Sequence, residues 1–292
     1  MVINPANNLF SLSQLKSNRD LPTIYAVTSG KGGVGKSTIS LNIAILLAQL
    51  KKNILLIDAD VHLGNLDLLL GLRPEYTIAD VIMGKQDLKD IIIPGPGGVD
   101  ILPASSASMD VLSIEEEVLT RLGTAFSQFE HEYDAVLVDT AAGITKDVMS
   151  FVHGADKVIL VVTPDPASIA DAYGMIKLVK RGNIFMPVMM IANMVRNEEE
   201  GESLFKKMNL MVQRFLESNI YYGGALLHDP QVGESIRRQR SIVLDSPICK
   251  TVNILKLITR NLLKLPEQDA ADRVGLFERF KQYRDLTIGE ES

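Results

Sequence analysis

The chain has 292 residues, of which 46% are hydrophobic, and a formal net charge of −6 at pH 7. This length is enough to bury the core of one large α/β domain, and we expect one domain rather than two. The acidic balance argues against nucleic-acid binding through the whole surface. The single cysteine, Cys249, excludes an intramolecular disulfide framework and the paired cysteines of a bridged iron–sulfur cluster. The sequence has no signal peptide and no apolar run long enough to span a bilayer, so we expect a cytoplasmic protein.

Residues 1–20 are mostly polar and precede the first predicted strand. We expect them to form a flexible N-terminal tail. Leu9, Leu12 and Leu15 have near-helical spacing, which leaves a short partner-binding helix as the alternative.

A glycine-rich loop between an apolar strand and a helical pattern is the most informative stretch of the sequence. The strand is predicted over residues 24–29 and the helix over residues 39–50. The loop fits the pattern G-x-x-x-x-G-K-[ST], in which backbone N–H groups close around phosphate oxygens. Lys36 would reach the β- and γ-phosphates, and the Ser37 hydroxyl would bind Mg²⁺. The predicted nucleotide-binding residues of this loop are Gly30, Lys31, Gly32, Gly33, Val34, Gly35, Lys36, Ser37 and Thr38.

The second lysine of the loop, Lys31, is its most diagnostic residue. Together with the residues up to Thr38 it resembles the deviant Walker A motif of the MinD/ParA ATPases. In that family the early lysine crosses a dimer interface to the nucleotide held by the other subunit. The resemblance therefore implies a slow regulatory ATPase that uses ATP and Mg²⁺ and forms a homodimer on ATP binding, with Lys31 and Lys36 in catalytic roles. The alternative is a solvated lysine at the edge of a loop.

Two further apolar runs end in acidic residues, as buried parallel strands do at the ligand-binding edge of a sheet. The run over residues 53–58 ends at Asp58, and the run over residues 133–139 ends at Asp139. Asp139 is the predicted Walker B residue that holds Mg²⁺, and Asp58 is predicted to support the shell of the ion. By resemblance to the first switch of the MinD branch, Asp60 positions or activates the attacking water. An ordinary polar turn is the alternative for Asp60.

Two more residues are predicted to touch the nucleotide. Gly143 follows the Walker B strand, and its N–H can come close to the γ-phosphate because glycine has no side chain. Asn193 ends the strand predicted over residues 187–193, and in relatives the asparagine at this place reads adenine. The alternative for Asn193 is a residue that caps a turn.

Several later segments resemble the flagellar-number branch of the family, FlhG (also called FleN or YlxH). These segments are residues 192–205, 214–216, 222–230 and 235–240, and the whole resemblance covers residues 22 to about 265. It implies an SRP-type GTPase (FlhF-like) and flagellar basal-body or regulator proteins as partners. One departure is that residues 1–20 lack the Asp-Gln-Ala and Leu-Arg motif usual in that branch. A MinD-type division-site ATPase and a ParA-type DNA-partitioning ATPase are the alternatives, the latter because Arg237, Arg238 and Arg240 offer a local basic patch.

The C-terminal tail, residues 266–292, carries an amphipathic pattern. At helical spacing Leu276, Phe277, Phe280 and Tyr283 fall on one side, among the positive charges of Arg273, Arg279, Lys281 and Arg284. This composition suits a helix in an anionic membrane surface, and it resembles the membrane-targeting helix of MinD and FlhG. We therefore predict peripheral binding to the inner face of the cytoplasmic membrane in the ATP-bound state. The alternative is a helix docked on the protein's own sheet.

Together these patterns predict an α/β fold with a doubly wound, mostly parallel sheet and helices on both faces. The predicted organisation is a tail over residues 1–20, a P-loop ATPase domain over residues 21–265 and the C-terminal tail. Two ATP-loaded subunits would close face to face, and hydrolysis would release them from each other and from the membrane.

Overall fold

An eight-stranded sheet runs through the computed structural model, which describes residues 21–60, 66–104, 116–267 and 274–289. The strands are β1 (Thr23–Thr28), β2 (Ile54–Ala59), β3 (Ile93–Pro94), β4 (Val99–Leu102), β5 (Ala135–Thr140), β6 (Lys157–Val162), β7 (Val188–Val195) and β8 (Tyr221–Leu227). Their order across the sheet is β3-β4-β2-β5-β1-β6-β7-β8. Neighbouring strands pair in parallel, except that β3 runs antiparallel to β4. The predicted mostly parallel α/β fold is confirmed.

The central strands are buried on both faces, which explains why they are continuous apolar runs rather than alternating patterns. Successive side chains of β1 point to opposite sides: Ile24 and Ala26 enter one core, and Tyr25 and Val27 enter the other. The sheet therefore separates two cores, each of which needs its own layer of helices.

Eleven helices are present in the described residues, and they cover both faces of the sheet. They are α1 (Lys36–Gln49), α2 (Leu66–Leu70), α3 (Ile78–Ile82), α4 (Glu116–Ser127), α5 (Lys146–Gly154), α6 (Pro166–Gly182), α7 (Glu198–Leu216), α8 (Pro230–Arg237), α9 (Ile242–Asp245), α10 (Lys250–Leu263) and α11 (Leu276–Gly289). Helices α1, α9 and α10 supply one core, and α4 to α7 together with α11 supply the other. Among the described residues no helix is both long and apolar enough to cross a membrane.

The strand order brings the predicted site residues to one edge. Because β2, β5 and β1 are parallel neighbours, the residues at their carboxyl ends lie side by side. Asp58 and Asp139 are register partners on adjacent strands, and the glycine-rich loop follows β1 directly. Strand β7 brings Asn193 to the same edge two strands away. The predicted N-terminal tail, residues 1–20, lies outside the described residues.

Candidate functional site

The glycine-rich loop has an open backbone at the start of α1. Gly33 and Gly35 have φ angles of 75° and 92°, in the left-handed region that favours glycine. A Cβ atom on Gly35 would lie 2.6 Å from the side-chain nitrogen of Asn193, so a larger residue would not fit there. The first turn of α1 contains no acidic residue, and its N-cap residue, Gly35, has no side chain that could accept a hydrogen bond from the N–H groups of that turn. Helix dipole and free N–H groups therefore suit a phosphate at this place.

Lys36 is buried at the bottom of this loop, with 9% of its surface exposed. Burial lowers the pKa of its ammonium group, while the carboxylates of Asp139 and Asp60 act in the opposite direction. The side chain is thus a cation in a confined space with two acidic neighbours. This arrangement provides the counter-charge that terminal phosphates need.

Asp139 is completely enclosed at the end of β5. Its Oδ1 accepts a hydrogen bond of 2.8 Å from the Ser40 hydroxyl, and the Ser37 hydroxyl also donates to this carboxylate. Burial raises the pKa of Asp139 to about 6 in spite of these donors. A buried carboxylate beside the predicted Mg²⁺ ligand Ser37 has the oxygen chemistry that this ion prefers. The residues present therefore fit the cation that the sequence predicts.

Asp58 organises the backbone that follows β2. Its two carboxylate oxygens accept the N–H groups of Asp60 and Leu66, each at 3.1 Å. Burial first, and the charge of Asp139 second, raise the pKa of Asp58 to about 7. Asp58 thus fixes both ends of the segment that contains Asp60, of which residues 61–65 lie outside the described residues. A divalent cation next to Asp58 and Asp139 would stabilise both ionised forms.

Lys31 extends away from the loop towards β6 and α6. Its Nζ lies 3.1 Å from Oδ1 of Asp165, and both side chains are close to half exposed. The carbonyl of Lys31 accepts a 2.7 Å hydrogen bond from the Ser29 hydroxyl, which fixes the backbone at this point. The two lysines of the loop therefore have different environments, one buried among carboxylates and one on the surface.

Gly143 and Asn193 both contact the glycine-rich loop directly. The N–H of Gly143, at a φ of 95°, donates to the carbonyl of Ser29 at 3.0 Å. The side-chain amide of Asn193 donates to the carbonyl of Val34 at 2.7 Å. Both contacts differ from the predicted contacts with γ-phosphate and adenine. Gly143 can reach a γ-phosphate only after its bond to Ser29 opens, whereas Asn193 has a second N–H and an acceptor oxygen available to it.

A cavity of about 760 Å³ adjoins the loop and supplies room for a nucleotide base. Its walls come from the loop, from α1, from Asn193 and from the segment that follows β8. Asp229, in that segment, caps α8 by accepting the N–H of Gln231 and also accepts the Thr251 hydroxyl. Sequence reasoning did not single out this wall. The Asp229-Pro230 pair at the start of a helix was the available signal.

The chain resembles known nucleotide-binding proteins in sequence as well as in fold. A family model described as the CobQ/CobB/MinD/ParA nucleotide binding domain matches residues 25–242. The antiactivator FleN of Pseudomonas aeruginosa is 40% identical over 243 residues, which cover 83% of this chain and 87% of that protein. The chain belongs to the MinD/ParA family.

Other members of the MinD/ParA family show the same likeness. The flagellum site-determining protein YlxH of Helicobacter pylori is 32% identical over 249 residues, which cover 80% of each chain. MinD in the MinC:MinD complex of Aquifex aeolicus is 30% identical with a TM-score of 0.65, over 87% of this chain and all of that one. MinD of Pyrococcus horikoshii in complex with Mg-ADP has a TM-score of 0.70 over 84% of this chain and 97% of that one; at 23% identity it supports the fold alone. The chain is thus an ATP-binding member of the MinD/ParA ATPases, and the glycine-rich loop lies within the residues that the family model matches.

The C-terminal helix α11, predicted to enter a membrane, is docked on the body of this MinD/ParA protein. Leu276, Phe277 and Phe280 are buried against α4 and α5. The ring of Phe277 lies 5.2 Å from that of Phe126, the ring of Phe280 lies 4.6 Å from that of Phe151, and Tyr283 stacks on His153 at 4.0 Å. The structure thus shows the docked alternative. In this arrangement the apolar face of α11 is filled by the protein, and it can meet lipid only if α11 leaves.

Polar contacts also hold α11 in its position against α4 and α5. Nη1 of Arg279 lies 2.9 Å from Oδ1 of Asp156, and the other oxygen of Asp156 accepts the N–H of Ile24 at 2.8 Å. Glu130 accepts the N–H of Leu276 at the start of the helix, and burial raises the pKa of Glu130. Lys281, whose charge was predicted to face lipid, donates to the Thr120 hydroxyl at 3.1 Å. One carboxylate, that of Asp156, therefore joins the C-terminal helix to the strand that leads into the nucleotide loop.

The arginines considered for DNA binding are paired with acidic residues. Arg237 and Arg238 both contact the Glu234 carboxylate, at 2.6 and 3.1 Å. Arg240 lies 3.7 Å from Asp245, which also neighbours Arg238. The local charge of this patch is thereby reduced, which weakens its attraction for phosphate backbones.

Proposed function

We propose that this chain is an ATP-dependent, dimerising, membrane-associating switch ATPase that regulates the placement or number of flagella. Two ATP-loaded subunits close face to face across the nucleotide loop, and each Lys31 reaches the nucleotide of the other subunit. Hydrolysis separates the subunits, so that the nucleotide state controls the output of the protein.

The different placement of the two loop lysines is the observation that carries this proposal. Lys36 lies inside its own site, whereas Lys31 is exposed and forms a surface ion pair with Asp165. Large apolar side chains are also exposed around the same loop. Leu68, Ile144 and Met194 are 69%, 53% and 43% exposed, respectively. An apolar rim around a nucleotide site is suited to burial against a second subunit.

The buried residues of the site carry out ATP hydrolysis in this proposal. Lys36 and the N–H groups of the loop hold the terminal phosphates. Ser37, Asp139 and Asp58 would hold Mg²⁺, which would supply positive charge to balance that of the phosphates during phosphoryl transfer. Asp60 positions the attacking water. Asp58 supports Asp60 by accepting its backbone N–H. In the proposal these residues make a slow ATPase whose cycle serves a switch.

Membrane binding requires the aromatic side chains of α11 to leave their contacts with α4 and α5 and to insert into lipid. The buried apolar face of the helix and the positive charges beside it have the composition of an interfacial helix. One such helix binds weakly, and a dimer that presents two makes the second insertion effectively intramolecular. The Asp156 carboxylate, shared by Arg279 and Ile24, offers a route from the nucleotide strand to the helix.

The flagellar role rests on the relatives named FleN and YlxH, which align with most of this chain. An SRP-type GTPase and flagellar basal-body or regulator proteins are the proposed partners. A DNA-partitioning role is less well supported, because the arginines that would carry it are paired with acids.

The test is sedimentation with anionic vesicles at matched protein concentration, in the presence of ATP or ADP, beside a mobility shift with duplex DNA. We expect ATP-dependent sedimentation, loss of sedimentation in Lys31→Ala, and wild-type behaviour in Lys206→Ala. Lys206 is a matched control because it is an exposed lysine that pairs with a single acid, Glu202, away from the loop. An ATP-dependent, salt-sensitive DNA shift without vesicle binding would contradict the membrane proposal and support the partitioning alternative. Unchanged flagellar number in a deletion strain would contradict the flagellar role.

A further inference from the structure

The acidic partner of Lys31 is Asp165, at the N-terminus of α6. Asp165 lies directly before α6, and its Oδ1 is 3.1 Å from the Lys31 ammonium group. The two residues are 134 positions apart in the chain, so the pair is a product of the fold rather than of local sequence. The arrangement keeps Lys31 within its own subunit.

Asp165 is fixed in place by groups other than Lys31. Its Oδ2 accepts the Thr163 hydroxyl at 2.6 Å, and its Oδ1 accepts the N–H of Ser168 at 3.0 Å as the N-cap of α6. The hydroxyl, the backbone N–H and Lys31 together hold the pKa of Asp165 well below its usual range. Two of the three donors to this carboxylate, the Thr163 hydroxyl and the Ser168 N–H, are independent of Lys31, so they orient it whether or not Lys31 is next to it.

The backbone of Lys31, in contrast to its side chain, is not free to move. The Ser29 hydroxyl holds the Lys31 carbonyl, and Gly30 packs so closely on α6 that a Cβ would lie 2.4 Å from the backbone carbon of Asp171. A change of partner by Lys31 is therefore a swing of its side chain from one anion to another. An exposed ion pair is weak and is screened by salt, so such a swing is reversible.

We propose that Asp165 is a positioning residue that retains Lys31 in its own subunit and thereby sets the affinity of ATP-dependent self-association. The inference rests on the proposed function. On association, Lys31 gives up the single charge of Asp165 for the several negative charges of a nucleoside triphosphate in the facing subunit. The competing carboxylate weakens the dimer and keeps the subunits apart until both are loaded. It acts through Lys31 and has no part in binding the nucleotide of its own subunit.

The test is a double-mutant cycle on self-association, measured by sedimentation velocity with Mg²⁺ and a non-hydrolysable ATP analogue. Asp165→Asn keeps an oxygen for the N-cap and removes the charge. We expect it to tighten self-association about two- to fivefold, the size expected of an exposed ion pair, with monomer ATP affinity unchanged. In a Lys31→Ala background the same change should have no effect. Glu202→Gln, which breaks an exposed pair elsewhere, is the matched control and should behave as wild type.

A second variant guards against a folding defect in Asp165→Asn. Thr163→Val removes the hydroxyl that orients the carboxylate and should tighten self-association in the same direction by a smaller factor. Self-association that is unchanged or weaker in Asp165→Asn, while wild type associates normally, would overturn this inference and leave the proposed function intact. The same tightening in the Lys31→Ala background would also overturn it. A wild-type protein that stays monomeric with the analogue would contradict the proposed function, and this inference with it.

Discussion

The two ends of β1 lie in regions with opposite character. At its carboxyl end is the nucleotide face, where N–H groups of α1 are open and the carboxylates of Asp58 and Asp139 have raised pKa values. At its amino end the N–H of Ile24 is bound by Asp156, beneath a helix whose aromatic face is filled. The polar groups of the nucleotide face are arranged to bind a ligand, whereas the polar and apolar groups at the other end of β1 are already bound by the chain itself. In the proposed switch, the nucleotide completes the first region, and the second region opens.

The two regions also differ in how far their contacts are shielded from solvent. Aromatic contacts and a nearly enclosed ion pair hold α11, while the nucleotide face presents exposed apolar side chains and an exposed ion pair. In the proposed switch, the free energy to undock α11 therefore comes from several sources together. These are nucleotide binding, burial of the apolar rim and insertion into lipid.

The largest expected effect concerns the nucleotide face alone. Lys36→Ala removes the buried cation and should reduce ATP affinity by at least about 100-fold, since a charge-assisted contact with phosphate is lost. Titration with a fluorescent ATP analogue measures this, with Lys206→Ala as the exposed control. Exchange protection of α11 in the absence of nucleotide should not change. ATP affinity equal to wild type would contradict the assignment of the site.

The next prediction concerns the ion pair that holds α11 against the rest of the protein. Asp156→Asn keeps an acceptor for the Ile24 N–H but removes the charge that pairs with the mostly buried Arg279. The cost is up to about 3 kcal/mol, the low end for a broken buried pair, because the Glu130 carboxylate remains near the guanidinium group. We expect α11 to undock, so that the protein binds anionic vesicles without ATP while its ATP affinity stays within about twofold. Glu132→Gln, which breaks the exposed pair with Lys89, is the control and should leave vesicle binding unchanged. Vesicle binding that still requires ATP in Asp156→Asn would show that this ion pair does not hold the helix.

A smaller effect, on the pH dependence of stability, is expected where His153 contacts α11. Burial lowers the pKa of His153, which stacks on Tyr283, to about 4. The folded state therefore favours the neutral imidazole, and stability present above the ordinary pKa is lost as the pH falls from about 6.5 to about 4. The slope is at most about 1.4 kcal/mol per pH unit for one proton. Glu130, whose pKa is raised, acts with the opposite sign. Urea unfolding of wild type and His153→Phe should differ in slope only below about pH 6.5; equal slopes would contradict this role.

The nucleotide face could be predicted from sequence because its signals are local. The loop pattern occupies eight consecutive residues, and each acidic residue directly follows an apolar run. Parallel pairing then made Asp58 and Asp139 neighbours without any further information. The contacts of Gly143 and Asn193 could not be predicted in the same way, since a strand-end residue can face either the ligand or the loop, and only the fold decides.

The packing of α11 against the rest of the protein could be predicted only in part. Helical spacing identified the apolar face of α11, but the same face suits lipid or protein, and its partners Phe126 and Phe151 lie more than a hundred residues earlier. The pairs Lys31–Asp165 and Arg279–Asp156 are likewise distant in sequence. Their residues have no local pattern that marks them as partners. The antiparallel strand β3, two residues long, was also too short to give a periodic signal.

Hydrogen exchange of the amides of residues 276–289 tests the link between the two regions most directly. The proposal predicts strong protection without nucleotide and with ADP. It predicts loss of that protection in wild type with Mg²⁺ and a non-hydrolysable ATP analogue, under conditions where the protein dimerises. Lys31→Ala, which we expect to bind the analogue but to dimerise more weakly, should keep the protection at a protein concentration where it stays monomeric. Protection that persists in the wild-type dimer, or that is lost equally in the Lys31→Ala monomer, would contradict a dimer-gated release of α11.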